Sequence, residues 1–423
     1  MHVRVSRQAA RCTPGAFPGA VARAALKAMP PAASVRGMKT YRIGVIGLGQ
    51  RIAHVLGAMK EVGWHLNVAG YFDPAPVGAE ILKGFDIPAG QAYRDVRTLL
   101  KDGPFDLVMI GSPNHLHYEH LLAAFEAGYP IFAEKPIVRT EEETFALARH
   151  LADRKTPPLF IGLVMRSMPI VRETIARVDA GALGDLVSMD ATEHLPPEHG
   201  AYLARNWRRK QEWGGSFYLD KVCHDFDIFG RLAGARPVRV ASFGGKKIFD
   251  SARENVTRTY SDGTPAYALR DAGWAGANDA FHSDMDVADH QTAIVEYASG
   301  MQLSFHSNSH VSLGERRWYI AGTDGTLIAD LVRNKLMFRR ALDKAKPERI
   351  DYANRTDDSH NGADQAMAKD LLATLESGTA FPVTPYESME AGLTVMAIDR
   401  AMAERTIVDC AQMWAAYDAA RGR

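Results

Sequence analysis

The sequence predicts two folded parts: an α/β unit on a parallel sheet over residues 39–164, then an α+β unit with a mainly antiparallel, open-faced sheet over 165–423. Three observations predict this. From Tyr41 to about Gly162, short apolar runs alternate with helical patterns, as βαβ units do. A glycine turn, "GVIGLGQ", joins the first run to the first helix. After Met165 the pattern changes to short alternating runs separated by turn residues. The length agrees, since 423 residues exceed one ordinary core.

The first 39 residues carry seven Arg or Lys and no Asp or Glu. They lack the continuous apolar stretch of an export signal. A start at Met38 would open the chain on "MKTYRIGVIG", so residues 1–38 are expected to be a disordered or non-native extension. The strands of the first unit are "YRIGVI", "LNVAGYF", "FDLVMI", "YPIFA" and "PLFIGLV". Their near-continuous apolarity suits strands covered on both faces. Between the first two, Ile52, Val55, Leu56 and Met59 form one helical stripe. In the second unit "TAIVEYASGMQLSFH" reads as a hairpin across Ser299-Gly300. The runs "LGDLVSMDATEHL", "ARPVRVASFGGKK", "RRWYIAG" and "KLMFRRA" supply further strands. Lys246 to Asp289 is polar and Gly/Asp-rich and reads as an irregular insertion. A long helix is expected near 386–405.

Composition excludes several classes. The 50 basic and 50 acidic residues balance, which gives no nucleic-acid or membrane surface. No window reaches the roughly 18 apolar residues of a spanning helix. Cys12, Cys223 and Cys410 are scattered and unpaired, as in a reducing, cytoplasmic compartment.

The glycine turn carries the cofactor signal. Gly47, Leu48, Gly49, Gln50 and Arg51 lie where a strand hands over to a helix N-terminus, the place for a pyrophosphate in a Rossmann dinucleotide-binding fold. Ile52 stands at the third glycine position and implies a slightly altered helix start. Asp73 ends the second strand about 20 residues on and suits a ribose 2′-hydroxyl, so NAD is preferred. Arg51 could reach a 2′-phosphate and keeps NADP open. The run "FDLVMI" leads into "GSPNHLHYEH", placing Ser112, Pro113, Asn114 and His117 beyond a strand's carboxyl end beside the nicotinamide half. His115, His117 and His120 also raise a metal site. A hydride donor needs none, and no carboxylate-cysteine cluster accompanies them.

By the same rule "EKPI" projects Glu134 and Lys135 toward the crevice. A lysine there can bind a substrate hydroxyl and stabilise the alkoxide as hydride leaves. The bland alternative is a surface Glu-Lys pair before a proline turn. "WGGSFYLDKVCHDFDIF" adds Asp220 and His224 four residues apart, on one helix face, where a carboxylate would orient the imidazole and raise its proton affinity. Asp225 and Asp227 offer the alternative of a solvated acidic face.

These motifs, with "AEKPI", "NWRRKQEWGGSFYLDKVCHDFD" and "RRWYIAGTDGTLIAD", make the chain from about Thr40 onward resemble the glucose-fructose oxidoreductase, inositol dehydrogenase and rhizopine catabolism (Gfo/Idh/MocA) oxidoreductases. The resemblance implies that Lys135, Asp220 and His224 are catalytic, and that Lys135, Arg208, Asp220 and His224 meet substrate. It places Arg166 and Trp207 near the nicotinamide. In such proteins the lysine-proline peptide is often cis, an expectation for Lys135–Pro136. The last long helix is expected to pack back on the dinucleotide domain, and the open sheet to build a homodimer or homotetramer. The implied activity is NAD(P)-dependent dehydrogenation of a secondary hydroxyl on a sugar, cyclitol or sugar derivative. Redox-assisted glycoside cleavage and a non-catalytic dinucleotide sensor are the alternatives. Lys221 and Cys223, where many relatives carry small residues, would narrow or recharge the pocket.

Overall fold

The structure, a computed structural model, describes residues 39–153, 155–253, 257–267, 272–352 and 361–423. The expected extension at 1–38 lies outside them. The first unit runs β1 (Thr40–Ile46), α1 (Gln50–Glu61), β2 (His65–Phe72), α2 (Gly78–Gly84), β3 (Gln91–Ala92), α3 (Val96–Lys101), β4 (Leu107–Ile110), α4 (His117–Glu126), β5 (Ile131–Ala133), α5 (Glu141–Asp153) and β6 (Leu159–Ile161). Its strands form one parallel sheet in the order β3-β2-β1-β4-β5-β6. That is the Rossmann order, with the topological switch between β1 and β4. Ile52, Val55, Leu56 and Met59 are buried against the sheet, as the stripe required. Helix ends follow local chemistry: the Asp95 carboxylate accepts from Thr98 N at 2.7 Å to start α3, and three glutamates open α5 at its positive end.

The second unit continues with α6 (Pro169–Asp179), β7 (Leu186–His194), α7 (Pro197–Arg205), α8 (Gln211–Gly214), a π-helical turn (Tyr218–Val222), α9 (Cys223–Ala233) and β8 (Pro237–Gly245). After the insertion come β9 (His290–Tyr297), β10 (Gln302–Asn308), β11 (Glu315–Gly322), β12 (Gly325–Asp330), β13 (Lys335–Arg340) and β14 (Glu348–Asp351). The chain ends with α10 (Ala363–Ser377), α11 (Pro385–Glu404), β15 (Val408–Asp409) and α12 (Ala411–Ala420). The nine strands order as β14-β13-β12-β11-β7-β10-β9-β8-β15. All pairs are antiparallel except β7 with β10. The hairpin turns where expected, with Gly300 at φ +88°.

Helix α11 is started by Pro385 and a Thr384–Glu387 capping box. It lies between the units, against β8 and α9 on one side and α5 and β6 on the other. Helix α10 docks on α1, where Trp64 Nε1 donates to Ala368 O at 3.1 Å, and α12 packs on α5. The insertion is irregular as expected, with only a short 3₁₀ turn at Ser251–Arg253 among its described residues, yet it packs a small apolar cluster. Phe249, Phe281, Met285 and Val287 cluster against Ala201 and Ala204 of α7. Its two ends are tied by the buried Asp289 carboxylate, which accepts from the backbone of Lys247, Ile248 and Phe249.

Candidate active site

The site forms where the carboxyl ends of β1, β2, β4 and β5 face α7 and the π-turn. Gly47 has φ +84°, and a Cβ there would lie 2.3 Å from Ser112 N, so only glycine lets the ends of β1 and β4 touch. Gly49 caps α1 with no side-chain hydrogen bond, and the first turn holds no acid. The first N–H groups of α1 therefore face an approach that a side chain would have covered. Leu48 is fully buried and contributes through its backbone, its carbonyl accepting from Gly78 N at 2.9 Å. Ile52 turns inward onto Gly111: a Cβ on Gly111 would sit 2.1 Å from Ile52 Cγ1.

A groove with about 1030 Å³ of open space, part of it continuous with solvent, runs along these ends. Gly47, Gly49, Gln50, Arg51, Asp73, Ser112, Pro113, Trp207 and Arg208 line it. Asp73 accepts from Ala75 N at 2.7 Å, and burial raises its pKa against that bond. Glycine turn, uncapped helix and terminal acid together fit a dinucleotide: the α1 N-terminus would hold the pyrophosphate and Asp73 a ribose hydroxyl.

Other expected residues sit behind the wall. Asn114 is buried, donating from Nδ2 to Gly214 O at 2.8 Å and Asp220 Oδ1 at 3.1 Å. His117 is buried between two carbonyls, Pro136 O at 2.7 Å from Nδ1 and Ser112 O at 2.9 Å from Nε2. Its imidazole ties the turn after β4 to the Lys135–Pro136 peptide, which is cis. His120 meets Ser112 Oγ at 2.9 Å and His115 stacks near Trp274. Glu134 is buried and accepts from Arg51 Nε at 3.1 Å. Arg51 also reaches Asp364 of α10 at 2.6 Å.

Arg166 does not line the groove. It is buried, with Nε 2.7 Å from Asp227 Oδ2 and Nη2 3.2 Å from Glu387 Oε1. Its guanidinium is consumed by a carboxylate of α9 and one of α11, a partner too remote in sequence to foresee.

Asp220 is the hub of the chemical cluster. Arg208 Nε lies 3.0 Å from its Oδ2, Lys135 Nζ lies 3.8 Å from its Oδ1, and Lys135 also donates to its backbone carbonyl. Burial alone would raise the Asp220 pKa, but Arg208, Lys135 and Asn114 outweigh it and hold the carboxyl below its usual value. The expected Asp220–His224 pairing is not made. The π-turn at Tyr218–Val222 widens the backbone between them, so a four-residue spacing no longer stacks two side chains. Asp220 turns to Arg208 and Lys135, while His224 Nδ1 has no hydrogen-bond partner among the described residues. The expected rise in its proton affinity is reversed as well. Burial, then Lys135, Arg316 and Lys221, push the His224 pKa well below 6.5. Lys221 lies 3.4 Å from Glu193 on β7, and burial pushes the Cys223 thiol up to about 12, leaving it protonated.

Sequence reasoning missed the groove's Tyr202, Asn206 and Trp274. The signal for Trp274 was present, an aromatic residue between glycines in "DAGWAG" within a polar insertion.

Two family models match the chain. Residues 41–162 match the GFO/IDH/MocA oxidoreductase family, NAD-binding Rossmann fold, and residues 171–328 match the GFO/IDH/MocA C-terminal domain. The chain belongs to the GFO/IDH/MocA oxidoreductase family. Among GFO/IDH/MocA relatives, inositol 2-dehydrogenase of Corynebacterium glutamicum is 25% identical over 202 residues, 48% of this chain and 57% of that protein. The chain thus spans little more than half of that relative's length. Levoglucosan dehydrogenase of Pseudarthrobacter phenanthrenivorans is 26% identical over 321 residues, 73% of this chain and 78% of that protein. A solved structure of levoglucosan dehydrogenase with NADH and levoglucosan superposes with TM-score 0.69 at 22% identity, covering 88% of this chain and 99% of that one. At that identity the superposition shows the shared fold. Among the described residues, no helix is long and apolar enough to cross a membrane.

Proposed function

We propose that the chain is an NAD-dependent oxidoreductase that moves hydride between nicotinamide and a secondary hydroxyl of a sugar, cyclitol or sugar derivative. The observation that carries this reading is the meeting of Lys135, from the Rossmann sheet, with Asp220 and Arg208 of the second unit beside a dinucleotide-fitting groove. The substrate class rests on relatives named as dehydrogenases of inositol and levoglucosan. NAD is preferred over NADP because Asp73 would repel a 2′-phosphate, while Arg51 is engaged by Glu134 and Asp364.

When bound, nicotinamide supplies the hydride acceptor. The substrate C–H electron pair leaves as hydride, the O–H proton passes to a base, and a carbonyl remains. His224 is assigned to take that proton, since burial and nearby cations keep its ring neutral at neutral pH. A weak base suffices because Lys135 stabilises the alkoxide it creates. Asp220, pinned by Arg208 and Asn114, fixes Lys135.

The sheet face turned away from α9 and α11 carries Phe243 at 76% exposure and Ile294 at 57%, and we assign it to a homodimer or homotetramer. The buried free thiols Cys223 and Cys410 fit a reducing, cytoplasmic setting. An NADH absorbance screen over sugars, inositols and sugar acids, run with NAD and NADP, tests the activity. Turnover on no member, with no NADH binding, overturns it. Aglycone release without net NADH would mark redox-assisted hydrolysis instead.

A further inference from the structure

The insertion between β8 and β9 delivers Trp274 to the dinucleotide groove, beside Gly273. No catalytic step uses this residue, yet the turn that carries it is built with care. Asn206 Nδ2 donates to Ala272 O at 2.7 Å, and Gly276 N closes the turn on Gly273 O at 3.1 Å. Arg209 Nη1 donates to Ala275 O at 2.6 Å. Arg205 Nε reaches Ala277 O at 3.1 Å, and Ala277 N returns a bond to Arg205 O at 2.7 Å. The turn places Gly273 at φ +69° and Ala275 at φ +52°, and the second is a conformation that a residue with a Cβ holds only when its surroundings enforce it.

The clamping residues Arg205, Asn206 and Arg209 flank Trp207 and Arg208, so Trp274 moves with the groove wall. The indole rests on Trp213, ring centroids 5.2 Å apart, and near His115 at 6.1 Å and 25° between planes. It nevertheless stays 38% exposed where the groove opens. A large apolar ring held in a fixed pose at a groove mouth is an arrangement for a flat ligand ring.

We propose that Trp274 is a cofactor-binding residue, an aromatic clamp that stacks on the bound dinucleotide from the second unit's side of the groove and slows its release. The clamp rests on the dinucleotide reading above. It predicts that the insertion sets how long the cofactor stays, separately from the chemistry at Lys135 and His224.

The test is the NADH dissociation rate, followed by stopped-flow displacement of NADH fluorescence, in the full chain and in Trp274→Ala, Trp274→Leu and Trp274→Phe. Circular dichroism and thermal midpoints identify variants that fold. Leucine keeps bulk without a π face, so it carries the test if alanine fails to fold. The alanine and leucine variants should release NADH about tenfold faster or more, the scale of losing one base-stacking aromatic, and phenylalanine should restore most of the retention. An unchanged rate in a folded leucine or alanine variant overturns the clamp and leaves the functional reading intact. A change confined to the sugar KM overturns the clamp too, by making Trp274 a sugar platform. Failure of the wild-type chain to bind NADH or NADPH overturns both.

Discussion

Replacing Gly111 with alanine tests how α1 comes to lie against the sheet. The usual solution places a third glycine on the helix, and here Ile52 occupies that position. The space is supplied from the other side: a Cβ on Gly111 would fall 2.1 Å from Ile52 Cγ1 and 3.0 Å from Cδ1. Gly111→Ala should therefore cost about 1–3 kcal/mol as overpacking, plus a small contribution from the contact with Gly47 O at 3.1 Å. Ile52→Ala alone should cost about 2–5 kcal/mol, because the side chain is fully buried. In the double variant the new methyl enters the volume that Ile52 vacated. Its cost should fall below the sum of the singles by about 1–3 kcal/mol. Urea unfolding of the four proteins, with m-values compared for two-state behaviour, measures this coupling. Additivity within about 0.5 kcal/mol would refute the idea that Gly111 stands in for the helix glycine.

Lys135→Ala and His224→Ala should each lower turnover at least about tenfold, the low edge of general acid–base contributions, while NADH still binds; near-normal turnover in both would remove them from the chemistry. Because the His224 pKa is depressed, its base form survives acidification, so the acid limb of kcat/KM should lie below pH 6.5 and move or vanish in His224→Ala. Arg166→Met should cost about 3–5 kcal/mol by stranding the buried Asp227 carboxylate, with NADH affinity unchanged; lost affinity at unaltered stability would return Arg166 to the cofactor. Burial pushes the Asp399 pKa from 3.8 to about 6 against hydrogen bonds from Ser216 and Gln291. Its contribution is therefore intact below the unfolded value and is lost as pH rises through the folded one. Asp399→Asn should gain up to about 3 kcal/mol over wild type at pH 8 and only a small part of that near pH 4, and an equal gap at both in urea unfolding would refute this.

What could be read in advance was whatever depends on short-range pattern. The apolar runs gave the five longer Rossmann strands, and Ser299-Gly300 gave the hairpin. β3 and β15, two residues each, are too short for any periodicity. α12, "AQMWAAYDAA", is too uniformly apolar to show a polar face. The parallel pairing of β7 with β10 is a matter of strand order, which local residues do not encode. At the site, Lys135 and Asp220 could be singled out because strand ends and chemistry coincide. The Asp220–His224 geometry could not, because the inference assumed an α-helical period where the backbone makes a π-turn. The pairing of Arg166 with Asp227 and Glu387 could not be read either, because those carboxylates come together only in three dimensions.

The course of the last segment sets a mechanical limit on the molecule. A chain that crosses between two lobes once can swing about that crossing like a door. Here α10 bonds to the Rossmann lobe through Trp64 and Arg51, α11 holds Arg166 and, through Arg400, Glu141 at 3.0 Å, and β15 returns to the second sheet before α12 packs on α5. A pair of lobes strapped at several points resists wide opening more than a pair joined by one crossing would. Losing the covalent link between β14 and α10 would leave that strap held to both lobes by its packing and ion pairs alone.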